Sequence, residues 1–276
     1  MTRLILILTI LLAGQTIRVD VNLVNVFATV QDEAGQYITN LDREDFRIYE
    51  DDVLQEAQIF EKQDDVKSSI AILVDNSGSM VDILPFMRRG IRDFTRTLAH
   101  EDDLFVVSFG TSVQLIHSSP EGQQHLEESM ERLRPYGTSV LFDSLVYGMN
   151  RITGSGHPRK ALVVFTDGND NGSDMSYKNV VDEAQRTGVL LYFVAIGPRV
   201  LVDANTVESL SSISGGRTLY VPKGDSVSAV LAQIRTELAR QYYIGYYAPR
   251  QPGFHRIRVE VPGKNLKVRA KTAYRG

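Results

Sequence analysis

Five oxygen-bearing side chains lie in three short stretches. Asp75, Ser77 and Ser79 are spaced Asp-x-Ser-x-Ser within residues 69–80. Thr138 stands in Pro135-Tyr136-Gly137-Thr138-Ser139, and Asp167 in Thr166-Asp167-Gly168. Two carboxylates and three hydroxyls offer oxygen alone, which suits a hard cation: Mg²⁺, or Mn²⁺ or Ca²⁺ in its place. Ser77, Ser79 and Thr138 can supply neutral ligands, while Asp75 and Asp167 bind directly or through waters. Few anionic groups would then touch the ion, and its residual positive charge favours a carboxylate arriving from another molecule. The same residues also have ordinary uses. Ser77 and Ser79 can cap a helix entering at Ile83, and Asp167 can form an Asx turn before Gly168.

Two apolar runs lead to the two acids. Residues 70–74 and 161–165 show no alternation, so both faces should be buried, as in the central strands of a parallel sheet. The carboxyl ends of such strands are where open α/β sheets bind ligands. Helical patterns cover residues 83–99, 123–133, 140–152, 177–187 and 206–213, with a last one capped by Asp225 and running to about residue 240. Strands fall at residues 103–109, 189–196 and 217–221, with 113–116 turning back as a hairpin. Alternating βα units predict an α/β fold, a doubly wound and mainly parallel sheet flanked by helices, over residues 66–240.

Both ends read differently. Residues 17–65 and 241–276 are β in character, and we expect them to form the two parts of one small accessory β domain, because isolated hairpins are marginal. Residues 19–23 alternate, but the phase shifts from 24 to 30, which suggests a bulge or a second strand. Residues 46–49 and 53–60 read as a hairpin about Glu50-Asp51-Asp52. In residues 266–272, Lys267, Arg269 and Lys271 share one face, expected to be solvated. Residues 1–16 begin with Arg3 and an apolar run at 4–12 broken by Thr9. The run is too short to span a bilayer but fits a secretory signal peptide. The mature protein is then expected to be secreted, periplasmic or at the cell surface, with no integral membrane span.

The three site motifs, in this order and on these kinds of element, resemble the von Willebrand factor type A domain, whose metal-ion-dependent adhesion site they form. The resemblance implies that Asp75, Ser77, Ser79, Thr138 and Asp167 are metal ligands. It also implies a non-enzymatic, divalent-cation-dependent protein-binding module that captures a Glu or Asp of a protein partner. The β run before it is similar to a small module preceding the A domain in a bacterial family of secreted A-domain proteins, common in acidobacteria. That family usually has Glu-Asp-Gly at the hairpin turn; Asp52 replaces the Gly here, and Asp tolerates the left-handed conformation.

Two other readings stay open. A Mg-dependent hydrolase would use Asp75 as aspartyl-phosphate phosphatases do, but those need Asp two residues later, where Ser77 stands. A structural cell-envelope protein would carry a vestigial metal site. Residues 167–172 also fit the first half of an EF-hand loop, although Lys178 occupies the place of the terminal Glu, so a polar loop at the rim of the site is expected.

Composition narrows the field further. The 276 residues include no Cys, which excludes disulfides, thiolate chemistry, zinc ribbons and iron–sulfur clusters. A net charge of −4 argues against a nucleic-acid footprint. None of His100, His117, His125, His157 and His255 belongs to a His-Glu-x-x-His motif, and neither a Gly-x-Ser-x-Gly elbow nor a P-loop is present.

Overall fold

The computed structural model describes residues 21–62, 66–98, 103–197, 202–221, 227–249 and 251–276. The signal-peptide expectation for residues 1–16 and the Asp225 cap lie outside them. The strands are β1 (Val21–Gln31), β2 (Arg47–Glu50), β3 (Val53–Gln55), β4 (Ile59–Lys62), β5 (Ser68–Asp75), β6 (Asp103–Phe109), β7 (Val113–Ser118), β8 (Arg159–Thr166), β9 (Leu190–Ile196), β10 (Arg217–Val221), β11 (Tyr242–Pro249), β12 (Phe254–Glu260), β13 (Lys267–Arg269) and β14 (Ala273–Arg275). The helices are α1 (Leu84–Thr95), α2 (Gly122–Arg132), α3 (Leu141–Thr153), α4 (Tyr177–Thr187), α5 (Ala204–Ser214) and α6 (Val227–Leu238).

A six-stranded sheet in the order β10-β9-β8-β5-β6-β7 forms the centre, parallel except for the edge strand β7. Every residue of β5 is buried, as its unbroken apolar run requires. Alternate residues serve opposite faces. Ile70, Ile72 and Val74 meet Met87 and Ile91 of α1, Leu126 of α2 and Leu231 of α6. Ala71 and Leu73 meet Leu145 of α3, Val180 of α4 and Val207 of α5. Three helices on each face make the doubly wound α/β fold. The chain leaves β5 toward β6, then returns to β8 on the other side, so the strand order reverses between β5 and β8. A crevice opens at the carboxyl ends of strands at such a point.

Strands from both ends of the chain share sheets. One antiparallel sheet runs β13-β1-β11-β4, the other β14-β12-β2-β3, and both bury side chains in one core that includes Val26, Ile48, Ile244 and Ile257. The accessory β unit is therefore built from both chain ends. Several local expectations change. β1 is one continuous strand: it pairs with β11 through Ala28 and with β13 from Thr29 to Gln31. Its shifted phase has another cause, burial on both faces. Val24, Val26, Ala28 and Val30 enter the β core, while Phe27 stacks on Tyr243 at 5.0 Å against the α/β core. The 53–60 stretch also divides, since β3 pairs with β2 and β4 pairs with β11 in the other sheet. The Asp51 and Asp52 turn has φ of 48° and 67°, left-handed at both positions as a two-residue hairpin loop demands.

The cationic face of β13 is not simply solvated. Arg269 turns inward and forms an ion pair with the fully buried Glu237 at 2.5 Å. Glu237 also meets Arg217 at 3.0 Å and accepts a hydrogen bond from the Tyr192 hydroxyl at 2.7 Å. Gln241 donates to both Tyr192 Oη and Thr29 Oγ1. This buried polar cluster joins α6 and the parallel sheet to β1 and β13.

Candidate metal centre

Asp75 ends β5 and is completely buried. Its Oδ1 accepts the Ser77 N–H at 2.9 Å; its Oδ2 accepts hydrogen bonds from Thr166 Oγ1 at 2.9 Å and Ser139 Oγ at 3.3 Å. Burial pushes its carboxyl up to about 6; hydrogen bonds from Ser77 and Thr166 oppose the shift, and the charge of Asp167 adds to it. No Lys or Arg pairs with this carboxylate among the described residues.

The two serines are not used as helix caps. Ser77 leads into a 3₁₀ turn, Gly78–Met80, without a side-chain cap bond, and α1 begins only at Leu84, with Pro85 in its first turn. Instead Ser77 Oγ and Ser79 Oγ lie 3.1 Å apart. The Asx-turn role of Asp167, by contrast, is present: its Oδ1 accepts the Asn169 N–H at 3.0 Å. Asp167 is half-buried.

Backbone contacts bring the Thr138 loop to the same edge. Gly78 donates to the Gly137 carbonyl at 3.2 Å, and Tyr136 donates to the Asn76 carbonyl at 2.8 Å. Gly137 has φ of +76°, and a Cβ there would collide with Thr111 Oγ1, so glycine is required where the loop crosses beside β6. A Cβ on Gly172 would stand 3.0 Å from Thr138 Oγ1, which shows how closely the 167–172 loop passes over the threonine. Thr138 itself is exposed. All three motifs thus converge at the carboxyl ends of β5 and β8.

The sequence alone assigns no role to Ser139 and Thr166, which hold Asp75, or to Asn76. Asn76 ties the Asp75 loop to Phe109 of β6 and to the Thr138 loop, by backbone bonds to Phe109 and Tyr136 and a side-chain bond to the Arg134 carbonyl. Asn171 clamps Ser139 from both sides, its N–H donating to the Ser139 carbonyl and its Oδ1 accepting the Ser139 N–H. The only sequence signal was adjacency to the motif residues. In the EF-hand-like stretch, Asp170 Oδ1 accepts from Phe142 N at the start of α3 and from Ser173 Oγ within its own loop, a use that suits a rim loop.

Comparison with known proteins follows the same lines. Residues 69–234 match the family model described as the von Willebrand factor type A domain. Among solved structures, a von Willebrand factor type A protein from Catenulispora acidiphila superposes with a TM-score of 0.54 at 10% identity, covering 93% of this chain and 73% of that one. The PilB minor pilin from Streptococcus sanguinis gives 0.51 at 16% identity, covering 65% of this chain and 63% of the pilin. Proximal thread matrix protein 1 from the mussel byssus, with a zinc-occupied MIDAS motif, gives 0.51 at 16% identity, covering 63% of this chain and 48% of that one. The chain thus spans less than two thirds of the pilin and about half of the byssus protein. Identities this low speak for the fold, whereas the family match takes in more than half of the sequence. The chain belongs to the von Willebrand factor type A domain family.

Proposed function

We propose that this protein is a non-enzymatic, divalent-cation-dependent protein-binding module, and that Asp75, Ser77, Ser79, Thr138 and Asp167 hold Mg²⁺ or a similar hard cation. The observation that carries the reading is Asp75: a fully buried carboxylate with hydroxyl and amide donors and, among the described residues, no cationic side chain bonded to it. An isolated buried charge is costly, and a metal ion is one of the few partners that offset it. The donor set fits, since every group is oxygen and three of the five are neutral. When bound, such a cation supplies a Lewis-acidic position that a carboxylate can occupy.

The protein's own residues do the remaining work. Thr166, Ser139 and the Ser77 amide fix the Asp75 oxygens, and Asn76 and Asn171 hold the loops that carry Ser77, Ser79 and Thr138. The exposed Thr138 stands where an acidic side chain of a partner would approach. We assign the binding module to residues 66–240 and one accessory β domain to 17–65 and 241–276, and we read residues 1–16 as a secretory signal that takes the protein out of the cytoplasm. Among the described residues no helix is long and apolar enough to cross a membrane.

Isothermal titration with Mg²⁺ and Mn²⁺ on the wild type and Asp75→Ala tests the metal site. Affinity capture from native extract with Mg²⁺, compared with EDTA, tests the partner. Equal heats from both proteins, or capture that ignores EDTA, would refute the proposal.

A further inference from the structure

A second group of metal-binding side chains lies at the other end of the sheet. His117 is on β7, which runs antiparallel to β6, so its last residue, Ser118, pairs with Phe105 near the start of β6. Asp75 pairs with Phe109 at the opposite end of that strand. After β7 the chain makes a 3₁₀ turn, Ser119–Glu121, and enters α2 through Gly122, whose φ is +78°. Glu121 lies four positions after His117 and His125 four positions after Glu121, and this turn brings all three side chains to one place.

The geometry is specific. His117 Nδ1 and His125 Nδ1 are 3.3 Å apart, and Glu121 Oε2 lies 3.7 Å from the first and 3.4 Å from the second. A circle through three atoms at these separations has a radius of about 2.0 Å, so a single ion just off their plane would reach all three at the lengths of about 2.0–2.2 Å typical of Zn–N and Zn–O bonds. The two nitrogens are within hydrogen-bonding distance, so without an ion one Nδ1–H···Nδ1 bond pairs them, and an ion between them would take that proton's place. Burial pushes the His117 imidazole down, toward the neutral form that ligates metals. Ser118 fixes the position of Glu121 through a capping box, its N–H and Oγ donating to Oε2 at 2.6 and 3.2 Å, and a bound ion would replace the longer Oγ bond on that oxygen.

We propose that His117, Glu121 and His125 form a zinc site, separate from the oxygen-only site at Asp75. Two imidazoles and one carboxylate favour Zn²⁺ over Mg²⁺, so the two ends of the sheet select different ions. The His117 side chain is buried at 3% exposure, while those of Glu121 and His125 are 43% and 40% exposed. The fourth coordination position therefore faces solvent, open to water or to a donor from another molecule. A bound ion staples the end of edge strand β7 to α2.

The test uses the full chain, stripped by chelation, in the Asp75→Ala background and in excess Mg²⁺ so that zinc has no rival site at the other sheet edge. Titration with ZnCl₂ should give one equivalent. CoCl₂ should give the intense visible absorption of a four-coordinate complex. Adding Glu121→Gln and His125→Ala together should weaken zinc binding by at least about 100-fold, remove the cobalt bands and abolish the zinc-induced rise in Tm. His125→Ala alone gives the same readouts with little effect on the metal-free fold, because that side chain is half-exposed. No stoichiometric zinc in the Asp75→Ala parent, or unchanged zinc affinity in the His125→Ala variant, overturns the proposal.

Discussion

Replacing Asp75 by Asn isolates the charge at the head of β5. The substitution keeps an oxygen for the Ser77 N–H and a polar group facing Thr166 and Ser139. In the metal-free protein the carboxyl is raised from 3.8 to about 6, chiefly by burial. The folded state then holds a proton that the unfolded chain releases between about pH 4 and pH 6, so wild-type stability falls as pH rises through that window and is level above it. The full difference amounts to about 3 kcal/mol at 1.36 kcal/mol per pH unit. Thr166 Oγ1 also accepts the Gly168 N–H, and re-pairing it with an amide offsets part of the gain. Asp75→Asn should therefore stabilise the protein by about 1–3 kcal/mol at pH 7.5 in EDTA, a rise in Tm of several degrees. The advantage should vanish below about pH 4, where both proteins are neutral at this position. Saturating Mg²⁺ should reverse the order, since an ion at about 1,000 times its Kd adds roughly 4.1 kcal/mol to the wild type alone. Denaturant melts at pH 3.5 and 7.5, with EDTA or Mg²⁺, measure all four values. A stability difference in EDTA that is the same at both pH values would refute the argument that a lone buried charge drives the site.

Three further outcomes are expected. Thr138→Ala should weaken partner binding more than Mg²⁺ binding, read by titrating each ligand separately, because Thr138 is exposed and within a partner's reach under the proposed function. Asp52→Gly should stabilise the hairpin by about 0.5–1 kcal/mol in a thermal melt, because glycine relieves the φ of 67° and the lost pairs with Arg256 and Arg258 are exposed. Glu237→Ala should destabilise the fold by about 3–5 kcal/mol, seen as a fall in the denaturant midpoint, since it leaves Arg217 and Arg269 facing each other without a counter-charge.

Most of the parallel sheet was legible because its signals are local. The unbroken apolar runs of β5 and β8 are buried on both faces, and periodicity alone found α4 at Tyr177–Thr187 to the residue. β1 was harder. Its phase shift looked like a bulge, yet it arises because Phe27 and Val26 enter different cores, and nothing within the strand names its two neighbours. The cationic face of residues 267–271 misled for a related reason: Arg269 is turned inward by a glutamate more than thirty positions earlier.

What the sequence determined on its own was the parallel sheet, its helices and the motifs at the carboxyl ends of β5 and β8, since strand period, helix period and turn chemistry all act over a few residues. The tertiary structure decided what depends on approach across the chain. It set Ser139 and Thr166 on the Asp75 oxygens, joined Glu237 to Arg217 and Arg269, and divided residues 53–62 between two sheets. It also turned three unremarkable side chains, His117, Glu121 and His125, into one cluster, because a strand end, a 3₁₀ turn and a helix start meet there. Spacing along a chain fixes which residues are available to a site, but only packing brings their polar atoms within bonding distance of one another.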